Sequence, residues 1–398
     1  MAPKVFVTDG HWRKSLAVVR GLGKEGVGVT VGETTRVATA AFSKYATKVE
    51  VYPSPLKTPD SFLQFLMDRL AQSRYRMLLP MEDVTMEIAA KHRSDLSRHT
   101  YLPVVSIEKL GHARRKDKIV QLAEKLGVPV PKTWHLSDLS QLDEIKGVLP
   151  YPVVIKPRTG SGAAGVSYPA NPEEFKRLYL KTHRLFPFPM VQEMIPREGR
   201  GYGASFLFDE KGRVKASFVH KRLREYPVTG GASTFRESVK RDDIRDMGRT
   251  LLEALDWFGV AMVEFKEDPR DGIPKLLEIN PRFWGSLALA IRAGVNFPYL
   301  LFRMSMGEKF DPVERYETGV KCRWLLPGDM LHFITNPRRR EILGSFFDFR
   351  DRETGYDIIS LEDPFPILGR ILTPLTFLYD ADMKVRLKGR RTSSGITR

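Results

Sequence analysis

The first 110 residues alternate between short apolar runs and segments with apolar residues at helical spacing. KVFVTDG is typical of a strand and a turn, and HWRKSLAVVRGLGKEG has helical spacing up to a glycine. VGVTVGE and RMLLP are predicted strands with a helix at Ser61–Ser73 between them, and Glu82 and Asp83 open another helix. This β-α-β-α order predicts a parallel, Rossmann-like sheet. Because TDGHWRKS lacks the Gly-x-Gly-x-x-Gly spacing, NAD binding is not predicted.

Residues 111–319 combine helices with strands that follow one another closely enough to pair in antiparallel. A helix from Asp117 to Leu126 stops at Gly127, and further helices are predicted near Glu173–His183 and over residues 242–258 and 285–306. Strands are predicted at VVIK, MVQEMI, GYGASFLF, residues 212–220, GVAMVEFKED and KLLEIN. The order of these elements predicts an α+β arrangement.

The last stretch, residues 320–398, is less regular and is rich in Arg, Phe and Pro. DPFPILGRILTPLTFLYD is apolar, and the basic segment KVRLKGRR follows it. We expect a docked helix and a loose tail here. Peripheral contact with an anionic membrane surface is the alternative.

Composition narrows the class of protein. The 398 residues are 42% hydrophobic and 28% charged, as in ordinary globular proteins. No apolar run approaches the roughly 18 residues that a membrane span needs, and MAPKVFVTDG does not resemble a signal peptide. Cys322 is the only cysteine, which excludes an internal disulfide and disfavours a thiol nucleophile. We therefore expect a cytoplasmic protein.

The net charge is +16, from 64 Lys and Arg against 48 Asp and Glu. An anionic substrate, contact with anionic lipid or nucleic acid, and a generally basic proteome all explain it, and charge alone does not separate them. The chain has neither zinc-type Cys/His spacing nor an RNA-binding signature, so nucleic acid is not the predicted partner.

A glycine-rich loop follows the predicted strand VVIK. Lys156 ends the strand, and Gly160, Ser161, Gly162 and Gly165 follow. Glycines let the backbone approach an anion closely, and successive N–H groups can hold phosphate oxygens. The loop leads into a strand and lacks the Gly-Lys-Ser/Thr ending, so it is not a P-loop. A hairpin without a binding role is the alternative, and Lys156 favours phosphate binding.

Two acids and an amide fall on neighbouring strands. Glu264 lies in VAMVEFK and Glu278 in KLLEIN, and the turn between them predicts a hairpin that places these two residues opposite or diagonal to each other. Asn280 lies two residues after Glu278 and therefore on the same face. Such oxygen ligands favour Mg²⁺ or Mn²⁺ over zinc; solvated acids on an exposed face are the alternative. Arg282 projects toward the same site, to grip a carboxylate or phosphoryl group or to close the strand end by a salt bridge.

These residues, together with Lys118 in KDKIVQLAEKLGVPVP and Glu193 in VQEMIP, resemble the ATP-grasp superfamily, and within it the branch of the carbamoyl-phosphate synthetase large chain and biotin carboxylase. The resemblance covers roughly residues 113–307. It implies a Rossmann-like pre-ATP-grasp domain at 1–110, an N-lobe with the phosphate loop at 111–190, a C-lobe with the metal site at 191–319, and a C-terminal extension at 320–398.

The resemblance also implies roles. Lys118 and Lys156 would contact ATP, and the backbone of Gln192, Glu193, Met194 and Ile195 would read the adenine edge. Glu264, Glu278 and Asn280 would hold Mg²⁺, and Arg282 would stabilise an acyl-phosphate. The implied reaction activates a substrate carboxylate with ATP for attack by an amine, releasing ADP and phosphate. The family resemblance leaves a homodimer open.

Some features depart from that branch. GRGYGASFLF offers no acid for the ribose hydroxyls, and the chain has one grasp module and no biotinylation module. Synthesis of carbamoyl phosphate and biotin carboxylation are therefore not predicted. A regulatory or scaffold protein that binds ATP without turnover, and a basic protein associated with nucleic acid, are the rival functions.

The segment His220–Ser238 is the predicted specificity element. Arg224 and three further basic residues surround Gly230 and Gly231, which is typical of a mobile basic loop over an active site. The other basic residues are Lys221, Arg222 and Arg236. A solvated basic hairpin is the alternative. His220 either contacts phosphate or packs on its strand.

Overall fold

The computed structural model describes residues 3–160, 165–228, 230–349, 351 and 353–379. Its first sheet is parallel, as predicted, with the strand order β3-β2-β1-β4. Its strands are β1 (Lys4–Val7), β2 (Gly28–Glu33), β3 (Ala46–Val51) and β4 (Met77–Leu79). The edge strand β3 was not predicted because its sequence ATKVEV contributes only one fully buried side chain, Glu50.

Helices cover this sheet and lead to the next one. α1 buries apolar residues such as Leu16 and Val19 against the strands. The helices are α1 (Arg13–Gly23), α2 (Pro59–Ser73), α3 (Asp83–Lys91), α4 (Arg93–Leu96), α5 (Ile107–Arg114) and α6 (Lys116–Lys125), with a 3-10 turn at Thr39–Phe42.

A small antiparallel sheet carries the lysine that precedes the glycine loop. Its strands are β5 (Thr133–Trp134), β6 (Val153–Lys156) and β7 (Met190–Glu193), in the order β5-β7-β6. The strand predicted after the loop is reduced to a single bridge between Ile155 and Ser167. Helices α7 (Gln141–Ile145) and α8 (Pro172–His183) complete a separate apolar core around Phe175 and Tyr179.

The third sheet has seven strands in the order β12-β11-β8-β9-β10-β13-β14. Its strands are β8 (Gly201–Phe208), β9 (Val214–Tyr226), β10 (Ala232–Ser238), β11 (Gly259–Glu267), β12 (Pro274–Asn280), β13 (Lys321–Arg323) and β14 (Thr354–Tyr356). The prediction of a mobile loop at His220–Ser238 is wrong for most of this segment, because residues 220–226 of β9 pair with residues 232–238 of β10. Thr229, in the turn between them, lies outside the described residues.

Two helical predictions in this half have different outcomes. α9 (Asp242–Ala254) forms within the predicted range. The single helix expected over residues 285–306 is instead two, α10 (Leu287–Arg292) and α11 (Phe297–Ser305). Gly294 has a φ of +100° and Pro298 lies in the first turn of α11, so the chain cannot continue as one helix.

The last part of the described chain is integrated with the rest. β13 and β14 extend the seven-stranded sheet, and the apolar segment forms the expected docked helix, α14 (Pro366–Tyr379). The basic segment KVRLKGRR, predicted to be a loose tail, lies outside the described residues. The shorter helices are α12 (Met330–Thr335) and α13 (Leu343–Phe347). α14 packs on the 3-10 turn, where Gly369 faces Phe42. Within the described ranges, no helix combines the length and apolar character needed to cross a membrane.

Two large apolar cores join the first sheet to the seven-stranded sheet. Phe6 of β1 and Phe206 of β8 belong to one core, and Val7 and Phe218 belong to the other. Because both sheets share cores, the first sheet packs against the seven-stranded sheet. The small sheet reaches the large one at β12, where Lys156 contacts the backbone of Leu277.

Candidate active site

The two acids identified in the sequence face each other on β11 and β12. Glu264 and Glu278 are direct cross-strand partners. Asn280 shares their face, and its Nδ2 donates to Glu264 Oε1 at 2.9 Å. The Glu264 side chain is only 13% exposed, so the alternative of solvated acids on an open face does not describe this site.

Each acid is paired with a cation. Lys116 Nζ lies 2.9 Å from Glu278 Oε2 and also donates to the carbonyl oxygen of Gly160 at 2.7 Å. Arg222 on β9 forms an ion pair with Glu264. Neither cation was predicted to meet these acids. The sequence places Arg222 in the predicted basic loop and gives no signal for Lys116.

Lys118, the predicted ATP ligand, is exposed. Two residues correspond to about 200° of rotation on a helix, so Lys116 and Lys118 project from nearly opposite sides of α6. Apolar periodicity locates the buried face through Ile119 and Val120, but it does not say which flanking lysine meets a partner from another sheet.

The paired acids differ in their electrostatics. Burial raises the pKa of Glu278, but Lys116, Lys156 and Arg222 outweigh it and hold this pKa below its ordinary value. Burial raises the pKa of Glu264, and so does the Glu278 carboxylate. Together they outweigh the Arg222 cation, which lowers it. The pair therefore takes up its first proton at Glu264, and a divalent cation would favour the fully ionised form.

Lys156 ends β6 and is buried over the acids. Its Nζ lies 3.5 Å from the carbonyl oxygen of Leu277. Burial and the neighbouring Lys116 cation lower the pKa of Lys156 to about 8, although the Glu278 carboxylate acts in the opposite direction. A lysine so placed gains strongly from an anionic ligand, which would stabilise its charged form.

Two glycines in β8 make room for side chains of β9. A Cβ on Gly203 would lie 2.4 Å from His220 Cε1, and one on Gly201 would lie 3.0 Å from Arg222 Cδ. These glycines are the signal in GRGYGASFLF that could have located Arg222. His220 is fully buried and packs against Phe218, and burial beside Arg222 and Arg236 holds its pKa well below the usual value.

Arg282 connects the site to the first sheet. Its Nε donates to Asp83 Oδ1 at 2.9 Å, and Asp83 also faces Arg114 at 3.5 Å. Lys14 lies nearby and pairs with Glu82 at 2.5 Å. Burial raises the pKa of Asp83, but the Arg282 and Arg114 cations lower it far below its usual range. The guanidinium is thus held at the junction of the two sheets.

A cleft opens between these elements. Its lining contains acidic and basic side chains and the backbone at the start of the glycine loop. The lining residues are Asp83, Ala113, Arg114, Lys116, Ile119, Gly160, Glu278, Ile279, Asn280 and Pro281. Lys116, Glu278 and Asn280 thus lie in one cleft with the start of the glycine loop. Gly160 has a φ of +113°, while Ser161 and Gly162 lie outside the described residues.

The predicted hinge strand has its own contacts. Gln192 is buried and its Nε2 donates to Thr133 Oγ1 at 2.7 Å. Glu193 ends β7 and binds Lys275 at 3.1 Å and Arg270 at 3.0 Å. Met194 and Ile195 follow the strand, and Ile195 is buried. Gly165, at the far end of the loop, has a φ of +76° and packs beside Phe186.

Arg224 is not brought to the acid pair. Its guanidinium binds both carboxylate oxygens of Asp329, at 3.0 and 2.9 Å, in a buried network with Thr234 and Arg323. The expectation of an arginine on a mobile loop is therefore corrected to a buried structural pair. Burial raises the pKa of the Cys322 thiol to about 12, so it is not a ready nucleophile.

The donor set suits a hard divalent cation that is shared with a ligand. Among the residues that the structure describes, no group of three His, Cys, Asp or Glu could hold a metal alone. Glu264 and Glu278 supply carboxylates, and Asn280 keeps its amide oxygen available because its Nδ2 makes the bond to Glu264. These oxygens fit Mg²⁺ or Mn²⁺ completed by phosphate oxygens or water.

Comparison with known proteins follows this geometry. Residues 208–326 match the family described as "ATP-grasp in the biosynthetic pathway with Ter operon". The chain is 24% identical over 286 residues to D-aspartate ligase of Enterococcus faecium, covering 66% of each chain. It is also 24% identical over 227 residues to the N-terminal section of the carbamoyl phosphate synthase large chain of Methanopyrus kandleri, covering 54% of this chain and 39% of that protein.

The match therefore spans less than two thirds of either curated relative. The fold is also similar to the biotin carboxylase domain of 2-oxoglutarate carboxylase from Hydrogenobacter thermophilus, solved with MgADP and bicarbonate. The TM-score is 0.67 at 16% identity, over 81% of this chain and 73% of that one. The chain therefore contains an ATP-grasp domain, with sequence relatives that include a D-aspartate ligase and a carbamoyl phosphate synthase section, and its fold is similar to that of a biotin carboxylase domain.

Proposed function

We propose that the protein is an ATP-dependent ligase that activates a substrate carboxylate as an acyl-phosphate for attack by an amine, releasing ADP and phosphate. The observation that carries the proposal is the partly buried pair Glu264 and Glu278, with Asn280 beside it, in a cleft that also holds Lys116. A structural ion pair does not need two carboxylates opposite each other, because their repulsion is costly without a cation between them.

Glu264, Glu278 and Asn280 would hold Mg²⁺ or Mn²⁺. When bound, the metal supplies charge neutralisation for the phosphates. Lys116, once it leaves Glu278, and Lys156 would bind phosphate oxygens. Such positioned cations suit phosphoryl transfer, in which positioning and electrostatic stabilisation account for most of the catalysis.

Arg282 would orient the activated carboxylate, and its fixed pair with Asp83 keeps it in place without substrate. The backbone of Gln192–Ile195 is the proposed contact for adenine. The similarity to D-aspartate ligase supports a carboxylate substrate and an amine nucleophile. These assignments, and a homodimer, remain proposals.

The test is the replacement of one acid of the pair. Glu278→Gln removes a negative charge but keeps the side-chain volume, so we expect ADP release with pooled amino acids and small carboxylates to fall by about 100-fold or more. Glu237→Gln is the matched control, because Glu237 lies in the same sheet and pairs with Lys221 on the opposite face. ADP release that is equal in both variants would exclude the metal assignment.

A further inference from the structure

A row of cations continues from the acid pair across the large sheet. β11, β8, β9 and β10 are consecutive neighbours. Arg222 on β9 reaches across β8 to Glu264, and Arg236 on β10 is the direct cross-strand partner of Arg222. Adjacent strands lie about 4.8 Å apart, so Arg236 is one strand further from the acids than Arg222. The row ends at Arg13, from the first turn of α1.

Arg13 and Arg236 share one carboxylate, Asp357. Arg236 bonds to Asp357 Oδ1, and Arg13 Nε lies 3.5 Å from Asp357 Oδ2. The Arg236 side chain is completely buried, yet its Nε and Nη1 have no hydrogen-bond partner among the described residues. Arg13 Nη1 also has no hydrogen-bond partner among the described residues, while Arg13 Nη2 donates to the carbonyl oxygen of Ser233 at 3.1 Å.

Asp357 Oδ2 also lacks a hydrogen bond, but the cluster still has more unpaired N–H donors than acceptors and two arginines for one carboxylate. Arg292 and Arg370 add further positive charge beside it. The Asp329 carboxylate also acts on Arg236, but it is already paired with Arg224 and Arg323. Burial, opposed by Asp357 and assisted by Arg236, lowers the pKa of Arg13 to about 9. Buried donors without acceptors and charges without counterions are both costly. An anion that accepted these bonds would remove both penalties.

The position of the cluster connects it to the site. A Cβ on Gly285 would lie 2.5 Å from Arg13 Nη2, so the absence of a side chain at this position admits the guanidinium. Gly285 lies three residues after Arg282, the residue proposed to orient the activated carboxylate. Trp324 covers Arg13 at 3.9 Å and is itself only partly buried, so the cover lies near the surface.

We propose that Arg13 and Arg236 bind a second anionic group of the substrate, while its other end, a carboxylate, is activated beside Glu264 and Glu278. The substrate class is then a small diacid, in which the second group is a carboxylate or a phosphate. The inference rests on the proposed ligase function, and it adds the requirement for two acid groups. Trp324 must move aside for the ligand to enter.

The experiment compares each acid with a neutral counterpart that keeps one carboxylate. Phosphate release with Mg-ATP and an amine pool is measured for aspartate against asparagine, glutamate against glutamine, and O-phosphoserine against serine. Wild-type protein is expected to prefer one diacid, and the preferred pair shows whether the second group is a carboxylate or a phosphate. Equal use of acids and neutral counterparts would overturn the inference and leave the ligase function intact.

The variants are Arg236→Gln and Arg13→Gln. Each is expected to raise the KM for the preferred diacid by about 10-fold or more, because a charge-assisted hydrogen bond is lost, and to leave the KM for the neutral counterpart within about twofold. Arg323→Gln is the control, since Arg323 is equally buried but pairs with Asp329 in the neighbouring network. An equal rise in KM for acid and neutral counterpart would overturn the subsite.

A binding measurement keeps the inference testable apart from turnover. The increase in Tm caused by each of the three acids, relative to its counterpart, is measured without ATP for wild type and for Arg13→Gln, whose side chain is at the edge of the cluster. An increase that is specific to one acid and lost in the variant supports the subsite, even if no compound stimulates phosphate release and the ligase function fails. The absence of any such difference overturns it.

Discussion

At the scale of single residues, the site depends on which lysine of α6 projects toward Glu278. Lys116 lies in the first turn of the helix and joins Glu278 to the carbonyl of Gly160, whereas Lys118 is exposed. Lys116 thus connects the acid pair, the glycine loop and α6. Its ammonium pairs with Glu278 in this structure, and in the proposed function it would turn to phosphate when a metal binds the acids.

The roles of Lys116 and Lys118 can be compared directly by mutation. We expect Lys116→Ala to weaken ATP binding by about 10-fold or more, since a hydrogen bond to a charged group contributes about 1.5–3 kcal/mol. Lys118→Ala should bind ATP like the wild type. Calorimetric titration with ATP and Mg²⁺ measures both. If the two variants bind equally well, Lys116 does not contact the nucleotide.

Lys156 provides a prediction about pH. Its pKa of about 8 means that the side chain is charged below this pH and loses its proton above it. Bound phosphate would raise the pKa, so ATP affinity should be constant below about pH 7 and fall as pH rises through 8 to 9. Lys156→Arg should flatten this decline, because a guanidinium stays charged. The same decline in both proteins would show that another group titrates.

At the scale of elements, β8 lies between β11, which carries Glu264, and β9, which carries His220 and Arg222. A side chain on this strand at Gly201 or Gly203 would displace Arg222 or His220. The alternation of apolar residues in GYGASFLF predicts the strand itself. The purpose of its glycines becomes visible only when the neighbouring strands are in register, because the side chains that fill the space belong to β9.

Adding one methyl group to β8 tests whether its glycines are needed for this packing. Gly203→Ala places a Cβ 2.4 Å from His220 and 3.0 Å from Met262 Sδ, so we expect a loss of about 1–3 kcal/mol in the free energy of unfolding. Gly111→Ala is the control: it lies in α5 with open space around it and should gain about 0.5–1 kcal/mol. Urea unfolding measures both. No loss in Gly203→Ala would mean that His220 shifts freely.

At the scale of the whole molecule, a buried ion pair connects the last part of the chain to α1, which covers the first sheet. Arg20 Nε of α1 lies 2.8 Å from Asp363 Oδ2, and its other nitrogens donate to the carbonyl oxygens of Asp357, Ile358 and Asp363. Ser43 also donates to Asp363 at 2.7 Å. This connection positions Asp357 beside Arg13 and so supports the cluster at the end of the cation row.

Removing Arg20 should therefore be costly. Arg20→Met leaves the Asp363 carboxylate buried without its cation, and we expect a loss of about 3–5 kcal/mol in unfolding free energy. Lys24→Met is the control, because Lys24 pairs with Glu362 at the surface and should lose less than about 1 kcal/mol. Chemical unfolding compares the two. Similar small losses would show that the C-terminal segment is not fastened by Arg20.

The parallel first sheet, the α+β remainder and the opposed acids follow from local patterns. Short apolar runs, helical spacing and the hairpin turn between Glu264 and Glu278 are properties of neighbouring residues, so periodicity and turn chemistry suffice to predict them. The same local information places Asn280 on the face of Glu278 and Lys156 at the end of its strand.

Contacts between distant segments required the folded molecule. The choice of Lys116 over Lys118, the pairing of Arg222 with Glu264, and the burial of Arg224 against Asp329 each depend on a partner in another element. So does the ordered hairpin in place of a mobile loop. A lysine or arginine looks the same in sequence whether water or a carboxylate solvates it, and the difference arises only when sheet register and packing supply the partner.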